Sequence, residues 1–261
     1  MSGAAPAADS SNNLYFLTGN GAFNADTGGS DYGDSTVKLS TTGSLHVTDY
    51  FTPSNQATLD TYDQDHGAGG AAILVDQPSG PVQHLLVGGG KAGVLFLLNR
   101  DNLGHYNTTD NVVQSLATGR ENYATGAFWN NSLYITVTNA PLAQYIFNTG
   151  TGQFNSSGNH YSICCYYFPG STPSVSSLGS TNGIAWALDN SQYCTTRSPG
   201  CGPTVLHAYD ATNVSTELWN STNGSGNSAG NAVKFTVPTV ANGKVYVPTR
   251  SELDVYGLLP N

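Results

Sequence analysis

The chain has 261 residues, of which only 10% are charged, and eight Lys and Arg stand against seventeen Asp and Glu for a net charge of −9. Fourteen of the acids are Asp, three are Glu, and there is a single Met, so the chain is short of surface helix formers and argues against a helical bundle, a coiled coil or a doubly wound α/β fold. No Lys/Arg run or basic–aromatic stripe offers a grip to a nucleic-acid backbone, and no window approaches the roughly eighteen apolar residues of a membrane-spanning helix.

What remains is an all-β chain with a polar, uncharged surface. The opening MSGAAPAADSS has neither a basic n-region nor an apolar h-region and is not a signal peptide. Short β-type runs bounded by Gly, Asn, Asp and Pro then recur at 13–19, 35–40, 45–51, 71–76, 84–90, 93–99, 132–138, 143–148, 183–189, 204–211, 217–221, 233–240, 244–250 and 252–258. Twelve acids against four bases leave residues 1–150 at net −8, whereas 151–261 carry net −1. Solubility accounts for that asymmetry, with a weak attraction for cations or basic surfaces as the alternative.

Within the first half, 19–34 (GNGAFNADTGGSDYGD) reads as a Gly/Asp-rich hairpin excursion, with Asp26, Asp31 and Asp34 as turn formers. The run 59–70, LDTYDQDHGAGG, is the densest polar cluster. Asp60, Asp63 and Asp65 are its calcium candidates, but it lacks the order and terminal Glu of an EF-hand loop, and an ordinary connecting loop with Asp-capped turns is the plainer reading. His66 reads as a hydrogen-bonded loop or pore-side histidine. GGGKAG at 88–93 lies between two β runs instead of between a strand and a helix, so it predicts a tight hairpin with Lys91 solvent-facing on its tip. No G-x-S-x-G or H-E-x-x-H occurs, and the cysteines have no evident base partner.

In the second half, four cysteines stand at Cys164, Cys165, Cys194 and Cys201, without CxxC spacing. Cys194 and Cys201 flank the turn-rich TTRSPG and are expected to form a structural disulfide. For the adjacent Cys164 and Cys165 three states stay open. They form a strained ring, pair with other cysteines, or remain reduced on opposite faces of a strand, and the last two are favoured over the ring. Asn-x-Ser/Thr acceptors stand at Asn107, Asn130, Asn155, Asn213, Asn220 and Asn223 and carry glycan only in a secreted eukaryotic protein. Composition suggests export, to an extracellular, cell-surface or periplasmic location, although this chain shows no export signal.

A degenerate repeat runs through these elements. Residues 126–152 read as a strand, an Asn-containing hairpin, an aromatic–aliphatic strand, a polar link and an L-x-x-Y strand, and 237–259 follow the same plan. Approximate copies fall at 11–53, 68–104, 124–154, 168–221 and 233–258. Small antiparallel meanders at this spacing predict a β-propeller of about five four-stranded blades, taken as a single domain over 1–261.

Segments 14–40, 84–107, 205–221 and 234–258, with AYDA…ELW and VPTVANGKVYV as the most specific pieces, resemble the quinoprotein-type β-propeller family with pyrroloquinoline-quinone-like repeats. That resemblance implies an all-β propeller of the quinoprotein alcohol dehydrogenase-like type. Family members close seven or eight blades, so it also implies an N-terminally truncated, incomplete ring, or else a partner or unusual closure over two exposed edges. In the enzymes of this family the quinone stacks on a Trp, with calcium, a catalytic Asp and, in the alcohol-oxidising members, a vicinal disulfide. Cys164–Cys165 is superficially that pair, but its context does not match the enzymes, and Trp129, Trp186 and Trp219 stand where blade packing is expected. The reading adopted is therefore a noncatalytic, extracytoplasmic binding or structural module with no cofactor. Its expected partner is a protein or a glycan rather than a nucleic acid, and self-association runs through exposed blade edges. The alternative is an alcohol or sugar dehydrogenase dependent on pyrroloquinoline quinone with calcium.

Overall fold

Turn chemistry written in the sequence reappears in the backbone. Asn130 and Asn131 both take positive φ, 45° and 56°, as do Asn242 and Gly243 at 51° and 71°. Two such residues in succession make a type I′ hairpin turn, whose twist suits the flanking strands, and Asn and Gly enter this region at least cost. The first turn joins Trp129 to its cross-strand partner Ser132, and the second joins Ala241 to Lys244.

The computed structural model describes residues 5–70, 73–163, 166–195 and 200–257. The chain divides into one unit of Met1–Thr125 with Phe147–Asn155 and another of Gly126–Ile146 with Ser156–Asn261.

In the first unit, β1 (Ala7–Ala8), β2 (Asn13–Leu17), β3 (Thr36–Ser40) and β4 (His46–Thr52) form an antiparallel meander, followed by the short helix α1 (Gln56–Thr61). A second meander contains β5 (Ile73–Asp76), β6 (His84–Gly89) and β7 (Val94–Asn99). The chain then sends β8 (His105–Tyr106) back to pair in parallel with β4 and places β9 (Gln114–Ala117) beside β7. Tyr15, Phe51, Leu86, Phe96, Leu98 and Leu103 form the apolar core. Arg100 is buried at its edge, paired with Asp76 and 3.6 Å from Asp9, which also accepts the Tyr15 hydroxyl proton at 2.9 Å. A cation buried this way needs such partners.

In the second unit, β10 (Ala127–Trp129), β11 (Ser132–Thr136) and β12 (Leu142–Asn148) form a meander. The last two residues of β12 pair with β13 (Gln153–Phe154), both segments lying in the first unit, and β14 (His160–Tyr161) flanks the body of β12. Four strands follow, β15 (Ser174–Leu178), β16 (Thr181–Asp189), β17 (Val205–Asp210) and β18 (Glu217–Asn220), and then three, β19 (Thr239–Ala241), β20 (Lys244–Pro248) and β21 (Leu253–Gly257). Ala185, Ala187 and Ala211 make room for the rings of Tyr134, Tyr166 and Tyr209 in one core. Gln144, buried beside it, donates to Ser132 Oγ and Ala211 O and accepts the Val214 N–H.

The all-β expectation holds, but the expected propeller does not form. Among the described residues there are five small sheets of five, four, five, four and three strands, and none closes into a ring. The physical reason lies in the terminal strands: β1 pairs with β2 alone and β21 with β20 alone, so each end is spent inside its own sheet. The meanders read from the repeat do exist, as β10–β12 and β19–β21. Their assembly into uniform four-stranded blades around an axis does not.

Candidate functional site

The acidic run of the first unit folds onto a cation of its own. Lys91 Nζ lies 3.0 Å from Asp63 Oδ2 and 2.5 Å from Asp65 Oδ2. Asp65 Oδ1 accepts the Asn20 N–H at 2.8 Å, Asp63 Oδ1 accepts from Asn20 Nδ2, and Asp60 Oδ1 accepts the Gly21 N–H. Burial pushes the Asp65 carboxyl up, but Lys91 and the Asn20 amide outweigh it and hold it below the ordinary carboxylate range. The hairpin at 88–93 is present as β6–β7, yet Lys91 is not solvent-facing. Its side chain is only 9% exposed, because the adjacent carboxylates draw it in and Gly90, where a Cβ would strike the Asp65 and His66 carbonyls, lets the loops approach.

The calcium candidates Asp60, Asp63 and Asp65 thus direct oxygens at Lys91, Asn20 and Gly21, and among the described residues no three His, Cys, Asp or Glu side chains gather as a metal site. Trp129 packs against the tyrosine core with its indole N–H on Gly179 O, Trp186 donates to Ser176 Oγ, and Trp219 meets Tyr256 edge-on. Cys164 and Cys165 lie outside the described residues.

His66 is buried, with Nε2 2.9 Å from Thr36 Oγ1, and its backbone N–H donates to Asp34 Oδ1 at 3.0 Å. Burial lowers the imidazole to about 4. A hydroxyl beside an imidazole has the form of a nucleophile and base. Thr36 and His66 are both out of solvent, however.

The second unit holds the better candidate. Lys234 Nζ stands over three rings, 4.9 Å from the centroid of Tyr193, 5.3 Å from Phe168 and 5.9 Å from Phe235. Each is within cation–π range. Phe168 meets both other rings edge-on at 6.4 Å. Phe235 carries a φ of 66°, a strained conformation for an aromatic residue. Cys194 and Cys201 are joined as a disulfide with Cα atoms 4.7 Å apart, and both sulfurs accept from Arg250 Nη1 at 2.9 Å. Tyr193, Cys194, Lys234, Phe235 and Arg250 line a cavity of about 540 Å³, a size that suits a small-molecule site. Among the described residues, neither Lys234 nor Arg250 pairs with a carboxylate.

Sequence reasoning placed the disulfide but missed Lys234, Arg250 and the three rings. The available signal was the near-neutral second half, where four bases match five acids in an otherwise acidic chain.

No protein family matches the chain, and no curated protein does. Among solved structures it is distantly similar to BamB from Moraxella catarrhalis, at 9% identity and a TM-score of 0.49, over 95% of this chain and 59% of that one. The computationally designed Ika8 protein is similar at 11% identity and a TM-score of 0.46, over 96% of this chain and 70% of that one. The designed Ika4 protein gives 10% and 0.41, over 67% and 85%.

Proposed function

We propose that this chain is a noncatalytic all-β binding module, working outside the cytoplasm, whose ligand seat is the cavity bounded by Tyr193, Phe235, Lys234 and Arg250. The observation that carries the reading is the pairing of half-buried aromatic rings with two cations that meet no carboxylate among the described residues. A charge left without a counter-ion beside apolar surface favours an incoming ligand of complementary chemistry. The disulfide supports an oxidising compartment. Among the described residues no helix is long and apolar enough to cross a membrane. A protein or glycan ligand remains the partner class, no cofactor is required, and β21 is the edge through which copies would associate.

The test has two arms. The chain is titrated with pyrroloquinoline quinone and calcium and assayed for dye-linked oxidation of alcohols and aldoses, and it is separately screened on a glycan array with Tyr193→Ala as the control. Glycan binding that Tyr193→Ala abolishes, without turnover, is expected. Saturable quinone binding with turnover overturns the reading, as does glycan binding indifferent to Tyr193→Ala.

A further inference from the structure

A second cavity lies beside the first on the same pair of chain segments. Residues 202–204 run antiparallel to 230–232: the Ala232 N–H donates to Gly202 O at 2.9 Å, the Thr204 N–H donates to Gly230 O at 3.0 Å, and Pro203 and Asn231 form a bridge between them. At one end, Ala232 and Val233 line the aromatic, cationic cavity. At the other, Pro203, Thr204 and Val205 line a cavity of about 320 Å³ together with Ser221, Thr222, Ser225, Ser228 and the glycines Gly224 and Gly226. Ala232 of the first lining and Pro203 and Thr204 of the second belong to this one pairing, which is three residues, or about 10 Å of extended chain, long. The Arg250 backbone N–H donates to Asn231 O at 2.8 Å, which anchors the main chain of Arg250 to this same segment.

From this arrangement we infer that the two cavities are adjoining subsites for an acidic oligosaccharide, with the carboxylate-bearing sugar seated at Lys234 and Arg250 and its neighbour beside Ser225 and Ser228. The inference rests on the binding-module reading above and names its ligand. Three features select the class. Sugar rings present an apolar C–H face that packs on an aromatic ring, and Tyr193 and Phe235 offer such rings at the cavity wall. Arg250 spends Nη1 on the disulfide sulfurs, and no other side-chain nitrogen of its guanidinium has a partner among the described residues, so donors remain for a carboxylate. Around the second cavity the hydroxyls of Thr204, Ser221 and Thr222 already bond Asn190 Oδ1, the Leu206 N–H and Asn220 Oδ1, and the exposed Ser225 and Ser228 are the ones left to meet the hydroxyls of a sugar. An acidic peptide needs a strand edge for its backbone amides, and neither cavity is lined by the open edge β21.

Calorimetric titration of the whole chain with trigalacturonate, its methyl ester, a neutral trisaccharide and a short polyglutamate peptide tests the inference. Trigalacturonate is expected to bind about tenfold more tightly than its methyl ester, the worth of one charge-assisted contact. Lys234→Gln with Arg250→Gln should erase that preference, bringing acid and ester to equal affinity. Replacing Ser225, which is exposed, with Tyr should weaken the trisaccharides and spare monomeric galacturonate. Equal binding of acid and ester overturns the acidic-sugar assignment but leaves the binding-module reading standing. Polyglutamate binding as tight as trigalacturonate also overturns it, in favour of an acidic peptide. Failure of every probe, acid or neutral, overturns both.

Discussion

Lys91 Nζ lies 2.5 Å from Asp65 Oδ2, with both side chains largely withdrawn from water. The contact ties the β6–β7 hairpin to the loop after α1, and Asp65 continues the connection to Asn20 through its other oxygen. Breaking one member of such a pair leaves the other charged and poorly solvated. Lys91→Met is therefore expected to destabilise the first unit by about 3 kcal/mol, and Lys91→Met with Asp65→Asn by clearly less. Urea unfolding of the two variants measures the difference, and equal losses would refute the coupling.

His66 sets a pH dependence of definite sign. Its folded-state pKa of about 4 lies below the unfolded value near 6.5, so the unfolded chain binds the extra proton between these values. The contribution of neutral His66 is complete above pH 6.5 and is lost as pH falls toward 4, by about 3 kcal/mol at most. Asp34, whose carboxyl burial raises, works in the opposite direction at the acid end. Asp34→Asn, a residue that accepts the local φ of 50°, removes that contribution. In this background, His66→Gln should flatten the stability profile between pH 7 and pH 4. An unchanged slope would rule out His66 as its source.

The disulfide has a mechanical and a positional role. Closing the short loop between Cys194 and Cys201 is worth about 2.5 kcal/mol by chain entropy, and the two sulfurs also hold Arg250. Cys194→Ser with Cys201→Ser should lower the unfolding midpoint of the second unit and weaken trigalacturonate binding. Arg250→Gln should weaken the ligand with little effect on the midpoint. A double-Ser variant with unaltered affinity would show that Arg250 needs no such anchor.

Along β21, Leu253 and Val255 are exposed, and the strand has a neighbour on one side only among the described residues. Such an edge templates pairing with a second copy. Sedimentation at high concentration should show reversible self-association that Val255→Lys suppresses. A monomeric wild-type chain would overturn this expectation.

How much of this was legible beforehand depends on how far apart the informative residues stand. Asn130–Asn131 and Asn242–Gly243 mark their hairpins because a turn is specified by the residues inside it. Cys194 and Cys201 are close enough in sequence for the intervening Pro-Gly step to announce their pairing. Asp60, Asp63 and Asp65 were visible as a cluster, but their counter-ion was not. Lys91 stands beyond an entire strand pair, and only the packing of Gly90 against the Asp65 and His66 backbone brings it back.

The sequence by itself determined an all-β chain of short antiparallel meanders, since apolar alternation, turn residues and a shortage of helix formers are local properties that each segment carries alone. The tertiary structure decided that these meanders form separate sheets without closing a ring, because closure depends on which partner each terminal strand finds. It also assembled the aromatic, cationic cavity. Phe168, Tyr193, Lys234, Phe235 and Arg250 share no spacing or motif, and they meet because 202–204 pairs with 230–232 and draws residues dozens of positions apart around one disulfide.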